Sequence, residues 1–130
     1  MYSQTTHSIR ITVHPSYLEG QSVPGADRFA WSYEIRIENL GSDTVQLRAR
    51  SWRITDANGY TQQVNGPGVI GEQPVLKPGD CFDYQSGTYL ATSSGIMVGS
   101  YRMQTADGRE FDVPIPAFSL DSPHLSAPRH

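Results

Sequence analysis

The sequence is poor in the residues that build disulfides and membrane-spanning segments. Its 130 residues include one cysteine, Cys81, so no intramolecular disulfide is available and nothing indicates an oxidising compartment. No apolar run approaches the roughly 18 residues that a membrane-spanning helix requires. Residues 1–7 lack the basic and apolar parts of a secretory signal. These absences predict a soluble, cytoplasmic protein that does not bind membranes.

Charged side chains and chemical motifs are also scarce. Charged residues make up 18% of the chain and the net charge is −3, which gives no basic surface for nucleic acid. The four histidines share no metal-ligand spacing with one another or with Cys81; they are His7, His14, His124 and His130. No serine or cysteine lies in a nucleophile motif. We therefore expect no metal site, no cofactor and no enzymatic activity.

Glycine and proline are abundant, with 12 and 9 copies. In the segments that separate these residues, apolar and polar side chains alternate. The strongest alternation covers residues 29–38, whose odd positions are Phe29, Trp31, Tyr33, Ile35 and Ile37. This period of two predicts a strand with one buried face. Further strands are predicted at residues 8–13, where Pro15 ends the strand, at 96–105, and at 110–115. The prolines of the last strand confine it to a sheet edge.

The middle of the chain allows more than one interpretation. Turn residues at 39–43 predict a hairpin between the strand at 29–38 and residues 44–47, which places Glu34 opposite Arg48. The burial parity changes between Leu47 and Trp52, so we expect a β-bulge near residues 50–51. A short helix over residues 45–52 is the alternative.

Six to eight short strands, with no helical pattern other than the alternative at residues 45–52, predict an all-β fold. The expected architecture is an immunoglobulin or fibronectin type III-like β-sandwich of two antiparallel sheets, with a small barrel as the alternative. Residues 8–120 form the single domain in this prediction. Residues 1–7 are expected to be flexible and the polar residues 121–130 to be disordered. We expect a monomer or a weak homodimer.

The chain contains one glycine motif, G-x-G-x-x-G, formed by Gly66, Gly68 and Gly71. In a dinucleotide-binding fold this motif precedes a helix, but the prolines that follow it here exclude a helix. A glycine loop can still bind an anion through backbone N–H groups, although Pro67 lacks one. A nucleotide or pyrophosphate site at this loop is therefore an alternative to a structural loop. The cations considered for it are Lys77, Arg50 and Arg53.

A protein-binding role has several candidate surfaces. Aromatic side chains near predicted turns or parity changes are possible interface anchors, or else core residues; they are Trp52, Tyr60, Tyr89 and Tyr101. The proline-flanked edge at residues 113–116 and the glycine loop are the other surfaces that a partner can use.

Several short segments together resemble the bacterial ApaG family over residues 7–120. They are YEIRIEN at 33–39, WRITD at 52–56, GPGVIGEQP at 66–74, LKPG at 76–79, YQSG at 84–87, MVGSY at 97–101 and IPAF at 115–118. The resemblance implies a fibronectin type III-like sandwich. It also implies a link to cobalt resistance and magnesium efflux, without a defined reaction.

Similar domains occur in some eukaryotic F-box proteins and in a polymerase-δ-interacting protein, so the resemblance implies protein–protein interaction as the general role. The glycine motif of the family, discussed as a pyrophosphate site, corresponds to Gly66, Gly68 and Gly71. We therefore expect a non-enzymatic binding module with an unidentified protein partner. Nucleotide or pyrophosphate binding is the alternative.

Overall fold

The fold consists almost entirely of β-strands in this computed structural model, which describes residues 1–124. The described strands are β1 Tyr2–Thr6, β2 Ile9–Tyr17, β3 Phe29–Asn39, β4 Val45–Asp56, β5 Thr61–Pro67, β6 Val75–Leu76, β7 Cys81–Leu90, β8 Gly95–Thr105 and β9 Glu110–Leu120. Two short 3₁₀ turns, Glu19–Gln21 and Pro24–Ala26, lie between β2 and β3. No helix in residues 1–124 is long and apolar enough to cross a membrane.

Two antiparallel sheets pack face to face, which confirms the predicted immunoglobulin or fibronectin type III-like sandwich. The first sheet has the order β1-β2-β3-β7. The second has the order β5-β4-β8-β9, with β6 also paired to β4. On one side of the sandwich β9 packs against β1 and β2. The opposite side is bounded by the edge strands β5 and β7.

The core is built from the alternation that the sequence predicts. The odd residues of β3 are all buried; they are Phe29, Trp31, Tyr33, Ile35 and Ile37. From the second sheet, Trp52 of β4 and Phe118 of β9 meet Tyr33 in a cluster with ring centroids 5.7 to 5.9 Å apart. Such offset and edge-on aromatic contacts stabilise a core beyond simple area burial.

The predicted hairpin between β3 and β4 is wrong, because the two strands belong to different sheets. The connection after β3 crosses the sandwich, and Asn39 fixes it: its Nδ2 donates to the carbonyls of Asp43 and Leu76 at 2.7 and 3.0 Å. Glu34 consequently lies opposite His14 of β2, not opposite Arg48. Turn residues such as those at 39–43 are compatible with either connection, so the distant acceptor at Leu76 decides between them.

The strand β4 is continuous, so the alternative of a short helix at residues 45–52 is wrong. The predicted bulge exists, but it lies between Leu47 and Ala49 and not at residues 50–51. The strand β2 also continues past Pro15 to Tyr17. Because β1 pairs β2 only as far as Val13, Pro15 lies where one side of β2 has no neighbouring strand, and its missing N–H interrupts no ladder there.

Both chain ends contribute to the sandwich. The segment at residues 1–7, expected to be flexible, contains β1, and Tyr2 packs its ring 6.0 Å from that of Phe118. At the other end, the Trp31 indole N–H donates to the carbonyl of Asp121 at 2.7 Å. The ring of His124 lies 5.8 Å from that of Tyr17. Residues 121–124 of the predicted disordered tail are therefore docked, and residues 125–130 lie outside the described part.

Candidate functional site

A cleft opens between the two sheets on the side bounded by β5 and β7. Its volume is about 280 Å³, and its walls come from both sheets and from the loop after β5. Tyr33 and Tyr84 form the wall of the first sheet, and Arg50 and Trp52 form the wall of the second. The cleft exists because β1 and β9 close only the other side of the sandwich.

The glycine motif forms one rim of this cleft, and its geometry is that of a tight turn. Ile70 and Gly71 have φ values of 44° and 79°, positive at both central positions as in a type I′ turn. The N–H groups of Val69 and Glu72 donate to each other's carbonyls at 2.8 and 2.9 Å, and that of Gly68 donates to Arg48. Three of the amides that an anion would need therefore already have backbone acceptors.

Arg50 is fastened to the same loop. Its Nη1 donates to the carbonyls of Pro67 and Gly68, each at 3.0 Å. The guanidinium lies against Gly66, where a Cβ would be 3.1 Å from Nη1. A Cβ on Gly68 would be 2.1 Å from the Glu72 carbonyl. The first glycine of the motif thus leaves room for Arg50 and the second for the turn itself.

Two tyrosine hydroxyls connect the sheets at the base of the cleft. Tyr84 of β7 and Tyr101 of β8 form a short hydrogen bond between their hydroxyl groups. Burial raises the pKa of both phenols well above the ordinary value of 10.0. Burial also raises the pKa of Tyr33, while the neighbouring Ser86 hydroxyl and the charge of Arg50 lower it in part. Within residues 1–124 the cleft is thus lined by two buried phenols, Tyr33 and Tyr84, and by one cation, Arg50.

The predicted anion-site residues are only partly brought together. Gly66, Gly68 and Gly71 lie in one loop, but Lys77 follows β6, whose last residue pairs with Val45. Gly66 pairs with Arg50, five residues further along β4. At about 3.3 Å per residue, Lys77 lies roughly 16 to 20 Å from Gly66 along the strand direction. Arg50, and not Lys77, is the cation beside the glycines.

The four aromatic residues considered as anchors divide into two pairs. Tyr60 and Tyr89 are exposed, with 65% and 56% of their surface accessible, while Trp52 and Tyr101 are core residues. The proline-flanked strand β9 lies at a sheet edge, as its sequence predicts. That edge packs against β1, so it is not open to a partner strand.

A larger depression of about 720 Å³ lies on the outer face of the first sheet, but its charges neutralise one another. Arg10 donates from Nε and Nη2 to the Glu38 carboxylate, both at 2.9 Å. Arg36 donates in the same way to Asp83 at 2.8 and 3.1 Å. Within residues 1–124 no group of three metal-binding side chains comes together.

The sequence alone indicates that Arg50 is unusual, because its position in β4 predicts an inward-facing side chain. Trp52 and Ile54 share the inward face of β4, and a period of two places Arg50 on the same face. An arginine on an inward face is unusual, because charged side chains are rarely buried without a partner. This position is therefore the clearest departure of β4 from a purely structural pattern.

Comparisons with known proteins agree with the fold and with the motifs. Residues 19–105 match the ApaG domain. The chain is 64% identical over 124 residues to Protein ApaG of Rhodospirillum centenum, covering 95% of each chain. It is 58% identical over 130 residues to Protein ApaG of Parvibaculum lavamentivorans, covering 100% of each. A crystal structure of an ApaA protein from Bordetella pertussis superposes with a TM-score of 0.88 at 39% identity, covering 93% of this chain and 98% of that one.

Proposed function

The chain belongs to the ApaG family, and on that premise we propose that it is a cytoplasmic, non-enzymatic binding module whose inter-sheet cleft receives a protein partner. The observation that carries this proposal is the composition of the cleft: aromatic walls, an apolar rim and two flanking edge strands. Aromatic side chains in a partly desolvated pocket are the usual anchors of protein interfaces.

The apolar rim is formed by Val64 of β5 and Ile70 of the glycine loop. They expose 38% and 54% of their surface at the mouth of the cleft. Beside them, β7 offers ten residues whose outer backbone edge pairs with no strand in the described chain. Unprotected edges of this kind accept an extended segment of another protein as an added strand.

The backbone of Ile70 adds an independent argument. A β-branched residue with φ of 44° is strained, at a cost of roughly 1–2 kcal/mol, and Asn or Gly occupies this turn position without that cost. The side chain does not repay the strain by packing, since more than half of it is exposed. An exposed apolar group retained in a strained turn supports a role in binding.

A nucleotide or pyrophosphate site at the glycine loop remains the alternative function. The charge of Arg50 favours it. Against it, the N–H groups of Gly68, Val69 and Glu72 are engaged in backbone hydrogen bonds. The cleft volume of about 280 Å³ also lies below the usual range of small-molecule sites, about 300–1,000 Å³. A side chain of a protein partner suits this volume better than a nucleotide.

The substitution Ile70→Asn tests the protein-binding proposal, because it separates binding from folding. We expect it to leave the free energy of unfolding unchanged or to raise it by about 1 kcal/mol, since Asn suits the turn. Binding should weaken at least about 10-fold because the apolar rim is lost. The matched control is Ile96→Asn, which removes an isoleucine that is 44% exposed on the outer face of the second sheet.

The assay starts from proteins of the native host that the immobilised wild-type chain retains. The strongest interactor is purified, and its affinity is measured by calorimetry for wild type, Ile70→Asn and Ile96→Asn. Weaker binding by Ile70→Asn alone supports the proposal. Retention of no reproducible partner, or equal affinities for all three, overturns it. Amide shifts in residues 66–72 on adding pyrophosphate or ATP would instead favour the alternative.

A further inference from the structure

Among residues 1–124, Arg50 is the one cation that lines the cleft, and two of its three guanidinium nitrogens have no acceptor there. Its Nη1 group is used by the carbonyls of Pro67 and Gly68. Its Nε and Nη2 donate to no group in the described chain, and no described carboxylate lies within ion-pair distance. Both groups reach solvent, since among residues 1–124 the Tyr17 hydroxyl is the one fully buried side-chain polar group without a hydrogen-bond partner, and they are therefore open to an acceptor of a partner.

The same chain shows what this edge of a guanidinium binds. Arg10 and Arg36 each use Nε together with Nη2 to hold one carboxylate in two parallel hydrogen bonds. Arg50 has the same two groups available, and it lines a cleft whose walls include Tyr33 and Tyr84. Charge-assisted bonds of this geometry strengthen as the surroundings become less polar.

The loop is built to hold Arg50 in one position. Two carbonyls fix Nη1 at 3.0 Å, and Gly66 provides the space against which the guanidinium lies. Fixing the side chain before binding lowers the entropy that a partner must overcome. A cation needed only for solubility would require neither the two carbonyl bonds nor the glycine.

We propose that Arg50 binds the carboxylate of an Asp or Glu side chain in an extended segment of the partner, which lies along β7 and inserts that side chain into the cleft. This inference rests on the proposed function and names the chemistry of the partner. A volume of about 280 Å³ accommodates one or two side chains, and the rim residues Val64 and Ile70 contact the apolar neighbours of the acid. The partner segment is therefore acidic at one position and apolar beside it.

The test selects binders from a display library of random ten-residue peptides, which match the ten residues of β7 in length. The selected peptide is synthesised with its acid and with the corresponding amide, Glu to Gln or Asp to Asn. Their dissociation constants are then measured for wild type and Arg50→Gln. Arg53→Gln is the control, because Arg53 lies on the same strand but on the outer face.

We expect the acid peptide to bind wild type about 10- to 100-fold more tightly than the amide peptide, the range for a hydrogen-bonded charged group. Arg50→Gln should lose this preference and Arg53→Gln should keep it. Because Arg50→Gln also removes two bonds to the loop, Gly66→Ala is the second variant. It keeps the charge but displaces the guanidinium, and it should reduce the preference at least several-fold.

Two results overturn the inference in different ways. If acid and amide peptides bind equally while Ile70→Asn still weakens the protein partner, the carboxylate assignment is wrong and the protein-binding function stands. If inorganic pyrophosphate displaces the peptide from wild type and itself binds through Arg50, the site is a phosphate site. A library that yields no peptide also rejects an extended acidic segment, whereas the calorimetry on the purified partner decides the proposed function separately.

Discussion

The hydrogen bond between Tyr84 and Tyr101 gives a sharp prediction about stability, because its two hydroxyls are buried to different depths. Tyr84→Phe leaves the Tyr101 hydroxyl, whose residue is 0% exposed, without an acceptor or donor. Leaving a buried polar group unsatisfied costs about 1–3 kcal/mol, and we expect the upper part of that range here. Tyr101→Phe instead leaves the hydroxyl of Tyr84, which is 8% exposed beside the cleft, where water can replace the lost bond. We expect a cost of about 1 kcal/mol.

The double variant is the decisive measurement. Replacing both hydroxyls removes the unsatisfied group, so the Tyr84→Phe and Tyr101→Phe pair should cost about 1 kcal/mol or less in total, well below the sum of the single costs. Urea denaturation measures these differences: with a slope of about 1–3 kcal/mol per molar, a loss of 2 kcal/mol lowers the midpoint by roughly 1 M. Tyr60→Phe, at an exposed tyrosine, is the control and should change stability by less than about 0.5 kcal/mol. Equal single costs that add in the double variant would refute the reasoning.

Three further substitutions test the glycine loop and the charged face. Gly68→Ala should lower the free energy of unfolding by about 2–4 kcal/mol in urea denaturation, because its Cβ would lie 2.1 Å from the Glu72 carbonyl at a φ of 58°. Gly71 has a φ of 79° but no atom within 4 Å of an added Cβ, so Gly71→Ala should lower it by about 1 kcal/mol. Equal losses for the two variants would contradict the steric account. The hydrogen bonds from Arg10 lower the pKa of Glu38 below 4.5, so their stabilisation is present above that pH and is lost as the pH falls below it. The Glu38→Gln variant should therefore lose less stability than wild type when the pH is lowered. Urea midpoints measured above and below the ordinary pKa of Glu38 test this difference. A pH dependence equal to that of wild type would show that the ion pair contributes nothing to stability.

The faces of the strands were predictable from the sequence, because burial in a strand follows a local period of two. The odd residues 29–37 of β3 and residues 113 and 115 of β9 needed no tertiary information. The strand β9 however continues past the predicted end at 115 to Leu120, and there the buried residues Phe118 and Leu120 have the opposite parity. The strand β5 was not predictable in this way, since six of its seven residues are exposed and its sequence TQQVNGP shows no alternation. Neither face of β5 is buried against the other sheet, so no alternation of apolar and polar residues is required there.

The partners of the strands were harder to predict than the strands themselves. Residues 39–44 are compatible with a tight hairpin or with a crossing between sheets, and the choice depends on Asn39 finding the carbonyl of Leu76, 37 residues away. The extent of β2 depended in the same way on where β1 stops pairing with it. Both features are set by contacts between segments that are distant in sequence, which propensity and turn chemistry do not contain.

In the candidate site, too, the motif could be recognised from the sequence, whereas the contacts of Arg50 depend on the fold. The glycine motif was visible in the sequence, yet each of its glycines has a local steric reason: Gly66 accommodates Arg50, Gly68 the Glu72 carbonyl, and Gly71 a positive φ. A motif explained at all three positions by packing does not require a phosphate. The chemical information lies instead in Arg50, an inward-facing arginine with two carbonyl bonds and no carboxylate within the described residues. Gly66 leaves room for the guanidinium of Arg50, and the proposed binding chemistry follows from that charge.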